Sequence, residues 1–436
     1  MVDRRRFLAA AAVAAASARD ADAVDQLAVD GGAPVRSRPL KGANWGPQYY
    51  DDKERSQLEE VLESRNPFRF NNPLDKSKVG LFESGCAARM QTKYALAVTS
   101  GTAALHCAMA ALEVGPGDEV ILPAWTWYSC YNTIIMAGAL PVFAEIDESF
   151  NLDPGDIEHR ITPQTKAIMA VHLQGNPADM DPILAVARKH GLKVLEDASQ
   201  SVGASYKGRP LGSMGDIGIF SLQQSKTITA GEGGVVITSD PYLFERAFRF
   251  HDVSMRRDFP AKLHWMPGLN YRMNEFTGGV LLAQLRKLDT IIADVRRNSR
   301  RVYDGIRDLS GVQLRRLPDA GGELGTGIFL GFRTKEDRDR YADAMKAEGV
   351  PVSGPAGSVI LPVVPEIEQK VTVTPRWPSF ASDRGKSIRY GRECCPRTID
   401  VLSRFAGVMM SPKYTERDTQ DAVAAVRKVY PTVARG

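Results

Sequence analysis

The sequence predicts an α/β fold, a mostly parallel sheet with helices on both faces and a smaller C-terminal α/β domain. Two observations carry this expectation. From Tyr94 to about Ala198, apolar runs of strand length alternate with segments whose apolar residues recur at helical spacing. Such alternation supplies the long crossovers that parallel strands need and covers the sheet on both faces. The length, 436 residues, also exceeds what one hydrophobic core usually serves, so a second and smaller domain is expected.

Taken in order, the chain opens with MVDRRRFLAAAAVAAASARDADA over residues 1–23. Arg4-Arg5 precede Phe7-Leu8, an alanine-rich run, and A-x-A-like sites at Ala16-Ser17-Ala18 and Ala21-Asp22-Ala23. That is the layout of a twin-arginine export signal leading to the periplasm. The run is too short and too weakly apolar to span a membrane. Residues 24–50, rich in Gly and Pro, read as an extended arm. A large domain is expected over residues 51–285 and a small one over 286–436. The large domain starts with a helix over 52–65, its Leu58, Val61 and Leu62 on one face. ALAVTS, EVILPA, PVFAEI, AIMAVHL and KVLEDA are the strands, and helices fill the intervals. DIGIFSL and GGVVITS read as two more strands flanking a turn. From about Asn274 one long helix is expected, with Leu281, Leu285, Leu288, Ile292, Val295, Val302 and Ile306 in a single stripe. Its arginines 296, 297, 300 and 301 are assigned to the solvated face. GIFLGFRT and DTQDAVAAVRKVY belong to the small domain.

Composition narrows the function classes. Hydrophobic residues make up 43% and charged residues 25%, ordinary for a soluble globular protein. A formal charge of +4 is small for this length and implies no nucleic-acid partner. Cys86, Cys107, Cys130, Cys394 and Cys395 lack metal-ligand spacing, and their odd number argues against a disulfide framework. Adjacent Cys394 and Cys395 point apart in extended chain and pair poorly. The histidines, among them His106, His172 and His251, are scattered, so no metal is expected.

The chemistry concentrates around FSLQQSKTITAGEGGVV, residues 220–236. Lys226 stands between an apolar run and a Gly-rich turn. Alone it reads as a solvated loop lysine. Held partly desolvated at the mouth of a sheet, its pKa falls and a neutral amine becomes available to attack a carbonyl. Asp197 closes the strand KVLEDA, where it is either a turn residue or the partner of a protonated ring nitrogen. Ser100-Gly101-Thr102-Ala103 stand at a helix start. They are either a plain cap or a phosphate cradle of backbone N–H groups plus a hydroxyl. Lysine, strand-end carboxylate and phosphate-type turn are the three parts of a pyridoxal 5′-phosphate site.

TSGTAAL (99–105), LPAWTWYSCYNTIIMAGALPVFAEID (122–147), EDASQSVGASYKGRPLGSMGDIGIFSLQQSKTITAGEGG (196–234) and GLNYRMNE (268–275) occur in that order. With CCP near Cys395 and SPKYTERD near Tyr414, they resemble the DegT/StrS family of pyridoxal-phosphate aminotransferases from about Leu27 to the end. The resemblance implies fold type I of the pyridoxal-phosphate transferases. It implies that Lys226 carries the cofactor as a Schiff base, that Asp197 meets the pyridine nitrogen, and that Trp127 stacks on the ring. Trp125, two positions earlier, is the alternative. Gln200 would lie near the ring and Ser221 would reach the phosphate, beside Gly101, Thr102 and Ala103. Asn270 would reach the phosphate of the neighbouring subunit in a homodimer with shared active sites. The implied reaction moves an amino group from glutamate or glutamine to a keto-sugar or keto-inositol. Export would separate the enzyme from nucleotide-linked sugars, which are cytoplasmic. The rivals are a pyridoxal-phosphate dehydratase or lyase and a non-catalytic regulatory relative. In the related sugar dehydratases a histidine takes the place of Lys226, which favours transamination. A nicotinamide enzyme is disfavoured, because AGEGG does not open a helix after a first strand.

Overall fold

The computed structural model describes residues 26–42, 44–257, 265–355 and 358–434; the leader expected over residues 1–23 lies outside the described residues. The arm ends where α1 (Asp52–Ser64) begins, with a capping box in which Glu54 reaches back to the Asp51 N–H. α2 (Lys78–Arg89) follows. Then strands and helices alternate: β1 (Tyr94–Val98), α3 (Gly101–Ala111), β2 (Glu119–Pro123), α4 (Tyr128–Met136) and β3 (Leu140–Ala144). The series continues with α5 (Pro154–Arg160), β4 (Thr165–Val171), α6 (Met180–His190) and β5 (Lys193–Asp197). β6 (Ile217–Ser221) and β7 (Gly234–Thr238) then flank the lysine turn, and α7 (Pro241–His251) closes the series.

The seven strands form one sheet in the order β1-β7-β6-β5-β4-β2-β3. Only β7 runs against its neighbours; the pairs β6–β5, β5–β4, β4–β2 and β2–β3 are parallel. β2, β3, β6 and β7 are buried along their whole length, as strands covered on both faces must be. The carboxyl ends of β5 and β6 therefore leave Asp197 and Ser221 at one rim of the sheet. The mostly parallel α/β fold expected from the sequence is the observed one.

The single helix expected from Asn274 is two, α8 (Glu275–Leu285) and α9 (Leu288–Ile306). Lys287 stands at the break. Its Nζ lies in a buried socket, donating to Tyr49 O at 2.6 Å and to Glu54 Oε2 at 2.7 Å. The chain turns there, so α8 packs on α1 and α2 while α9 continues toward the C-terminus. At Gly278 a Cβ would come within 2.7 Å of Val79 N, so only glycine permits this approach of α8 to α2. Arg296 also departs from its assignment. It is partly buried and donates to the carbonyls of Gly322 and Glu323, whereas Arg297, Arg300 and Arg301 are more open.

A second sheet holds β8 (Gln313–Leu314), β9 (Gly327–Gly331) and β10 (Phe405–Met409) in the order β8-β9-β10. α10 (Lys335–Ala347) packs against β10, and α11 (Glu416–Ala434) packs against α9 and α10. Among the described residues no helix is long and apolar enough to cross a membrane, and no cluster of metal-ligating side chains occurs. The five cysteines are free, with the Cys394 and Cys395 sulfurs 3.9 Å apart. His172 is buried against Glu196 at 3.0 Å, and His106 meets the Tyr271 hydroxyl at 3.0 Å.

Candidate active site

A cavity of about 630 Å³ opens at the rim of the large sheet. The first turn of α3, the ends of β5 and β6 and the start of α4 line it. The lysine turn completes that lining, so the location is the one that α/β sheets use for ligands.

Lys226 sits in the loop between β6 and β7, which is cross-braced. The Leu222 N–H donates to Gly233 O at 2.8 Å, and Gln224 N–H to Gly231 O at 2.9 Å. Thr229 Oγ1 donates to Leu222 O at 2.8 Å. The arm holds the same loop from outside, with Gly46 N–H on Lys226 O at 3.2 Å and Tyr50 Oη on Thr229 O at 2.9 Å. Burial pushes the Lys226 amine below its ordinary value of 10.5, against the opposing pull of Asp197.

Asp197 is 4% exposed. Its Oδ1 accepts from Ser199 N–H at 2.9 Å and its Oδ2 from Cys130 Sγ at 3.2 Å. Burial and the Asp197 carboxylate raise the Cys130 pKa, so the thiol stays protonated and donates. Thr126 Oγ1 lies 3.2 Å from the same sulfur. The carboxylate is thus fixed from two sides.

In the cradle, Ser100 caps α3 by accepting from Ala103 N–H at 3.0 Å. Gly101 and Thr102 line the cavity, and Ala103, with its N–H taken by the cap, lies behind it. The first-turn N–H groups of Gly101 and Thr102 have no place in the helix ladder, and the helix dipole adds to their pull on an anion. Thr102 Oγ1 meets Ser129 Oγ at 2.7 Å. A Cβ at Gly101 would lie 2.7 Å from Ser221 Cβ, so glycine brings the helix start against the end of β6.

Trp127 lines the cavity and is 51% exposed, whereas Trp125 is 2% exposed and packs edge-on against Phe150. The ring available for stacking is therefore that of Trp127. Gln200 also lines the cavity; it accepts from Gln174 N–H at 3.1 Å and donates to Ser358 Oγ at 3.1 Å. Asn270 stands apart from the lining. It is exposed, in an antiparallel bridge with Asp252. Sequence reasoning missed Cys130, the arm residues Gly42 and Trp45, and the wall formed by Thr326, Met409 and Met410 of the small sheet. Trp45 is tied to that wall by Nε1 donating to Met410 O at 3.2 Å.

The residues fit pyridoxal phosphate. A partly buried amine, a buried carboxylate, an open helix N-terminus and an accessible indole share one cavity. The model of the DegT/DnrJ/EryC1/StrS aminotransferase family matches residues 50–353. The chain belongs to this family. Among DegT/DnrJ/EryC1/StrS relatives, a GDP-perosamine synthase of Caulobacter vibrioides is 45% identical over 215 residues. That alignment spans 49% of this chain and 57% of the relative, little more than half its length. A GDP-perosamine synthase of Vibrio cholerae is 31% identical over 78% of this chain and 95% of its own. The solved aminotransferase from Psychrobacter cryohalolentis superposes with a TM-score of 0.75 at 27% identity, covering 90% of this chain and 100% of that one.

Proposed function

We propose that the protein is a pyridoxal-phosphate-dependent aminotransferase that moves an amino group from glutamate or glutamine to a keto-sugar or keto-inositol. One observation carries the reading: Lys226, Asp197 and the Gly101–Thr102 helix start face a single cavity. The sugar aminotransferase relatives support the acceptor class.

The cofactor, when bound, supplies an electron sink that lets the substrate Cα lose its proton. Gly101, Thr102 and Ser221 would hold its phosphate, Trp127 its ring face and Asp197 its ring nitrogen. Asp197 would favour the protonated form of that nitrogen, because a buried carboxylate stabilises an adjacent positive charge. The Lys226 amine, depressed by burial, serves as the base. It takes the proton from the donor Cα and later returns one to the acceptor carbon. Trp45, Met409 and Met410 bound the space in which that exchange takes place.

A two-fold dimer with shared sites is part of the proposal. Lys226 is the one cation lining the cavity among the described residues, and a phosphate together with a donor carboxylate calls for more polar donors. Asn270 is exposed beside Leu269, which pairs with Val253, and Val253, Met255, Trp265 and Leu269 are each exposed, apolar surface of the kind that a second copy covers. Export by the Arg4-Arg5 leader, with cleavage near Ala18 or Ala23, is the remaining part. The deciding experiment is a panel of keto-sugars and keto-inositols scored for amine formation with glutamate or glutamine. Amine formed from at least one acceptor is expected. Release of ammonia or water without a donor would establish a lyase or dehydratase instead.

A further inference from the structure

Behind Gln174 lies a second cavity of about 190 Å³, bounded by α9, β9 and the loop after β8. The transaminase reading makes no use of it. Arg315 lines it and is 5% exposed. Its Nη2 donates to Glu323 Oε1 at 2.5 Å and its Nη1 to Gln174 O at 3.3 Å. Its Nε is buried without a hydrogen-bond partner. Native interiors rarely leave a charged donor in that condition. At the rim stands Arg300, exposed and without an acidic partner among the described residues. The acids of the lining are already engaged, Glu323 by Arg315 and Asp304 by Arg307 at 3.4 Å. Leu317, Ile328 and Phe329 supply apolar wall.

Gln174 connects this cavity to the catalytic one. It is a non-glycine residue at φ 54° and ψ 41°, a conformation that persists only where surrounding contacts enforce it. Its carbonyl accepts from Arg315 and from Thr326 Oγ1 at 2.5 Å, and its N–H donates to Gln200 in the catalytic cavity. A ligand that draws on Arg315 alters one end of this linkage.

We propose that the second cavity binds a small carboxylate with a short apolar body, and that its occupancy is felt at the catalytic cavity through Arg315 and Gln174. The carboxylate meets Arg315 Nε and Arg300, and the apolar body lies along Leu317 and Phe329. The coupling rests on the transaminase reading; the binding does not.

The test is calorimetric titration of the full, cofactor-loaded protein with butyrate, with butylamine and butanol as controls. Saturable binding of butyrate alone is expected. It is roughly tenfold weaker in Arg300→Gln, in line with loss of a charge-assisted contact, and absent in Leu317→Trp, whose indole fills the space. Lys226→Ala, unable to transaminate, retains the binding. In steady-state kinetics butyrate shifts the donor KM of the wild type, and the same shift in Arg300→Gln takes roughly tenfold more butyrate. Absence of binding in the wild type overturns the site. So does binding that survives in Leu317→Trp, which would place butyrate in the catalytic cavity. If Leu317→Trp fails to fold, Arg300→Gln carries the test, because an exposed side chain is replaced there. Binding without a KM shift overturns the coupling. A wild type that binds butyrate but aminates no keto-sugar or keto-inositol supports this site and rejects the proposed function.

Discussion

Lys226 stands where an ammonium group is poorly solvated. Its burial lowers the pKa below 10.5, so the native state binds the proton less readily than the unfolded chain does. Folding of the cofactor-free protein therefore carries a penalty at low pH, relieved as pH climbs from the lowered pKa to 10.5. Lys226→Met removes the penalty. Urea unfolding of the two cofactor-free proteins should show the variant more stable at neutral pH, with its advantage shrinking toward the ordinary lysine value. An advantage that grows with pH would mean the amine is not desolvated. Asp197 has the opposite character, a buried carboxylate held by Ser199 N–H and the Cys130 thiol. Asp197→Asn keeps the shape and the Ser199 contact but cannot keep a ring nitrogen protonated. A fall in kcat on the order of a hundredfold to a thousandfold is expected, the scale for removing one preorganised electrostatic partner. Unchanged turnover would remove Asp197 from the chemistry.

Between elements, close approach decides what glycine does. At the first position of α3, Gly101→Ala should by helix propensity stabilise by up to ~1 kcal/mol. Here the new Cβ meets Ser221 Cβ at 2.7 Å, and overpacking of this kind costs about 1–3 kcal/mol. The clash wins on these magnitudes. A lower Tm and weaker cofactor binding by the purified protein are expected, whereas a raised Tm would show that β6 yields freely. The strands and helices that place this contact were legible in the sequence, because fully buried parallel strands leave continuous apolar runs such as EVILP and IGIFS. The break between α8 and α9 was not. Leu285 and Leu288 keep the apolar stripe in phase across it, and the turn is set by a lysine socket made of Tyr49 and Glu54, remote in sequence. In the same way, Asp197 at a strand end, Lys226 in the turn after a strand and the cradle at a helix start were readable as residues that the sheet brings to one rim. Cys130 was not, because its role is a contact with a residue 67 positions away. Nor did a Gly/Pro-rich arm announce that Gly46 and Tyr50 would brace the lysine loop.

At the scale of the whole molecule, the question is what completes the site and where it works. If Asn270 acts on a neighbouring subunit, a Lys226→Ala chain and an Asn270→Ala chain, each nearly inactive alone, should recover activity when co-expressed. Each mixed dimer then holds one site with both residues intact, so recovery approaches about a quarter of the wild-type rate if chains pair at random. Confirmed hybrids without recovery would count against sharing. The leader raises the harder question. Pyridoxal phosphate is made in the cytoplasm, and Lys226 and Asp197 form a cofactor site only in the folded chain. A route that threads unfolded polypeptide would strip the cofactor, whereas the twin-arginine route carries folded, loaded proteins. If residues 1–23 act as such a signal, Arg4-Arg5 and a cofactor cavity belong together physically, and a mature chain starting near Val24 would keep the arm and its Gly46 and Tyr50 contacts. Fractionation of cells producing the native chain should recover the shortened enzyme in the periplasm with its cofactor bound. The Arg4→Lys, Arg5→Lys double variant should stay uncleaved in the cytoplasm, because the arginine pair is what defines a twin-arginine signal. If both proteins remain cytoplasmic and uncleaved, the leader is no signal, and nucleotide-linked keto-sugars become the acceptors to test first.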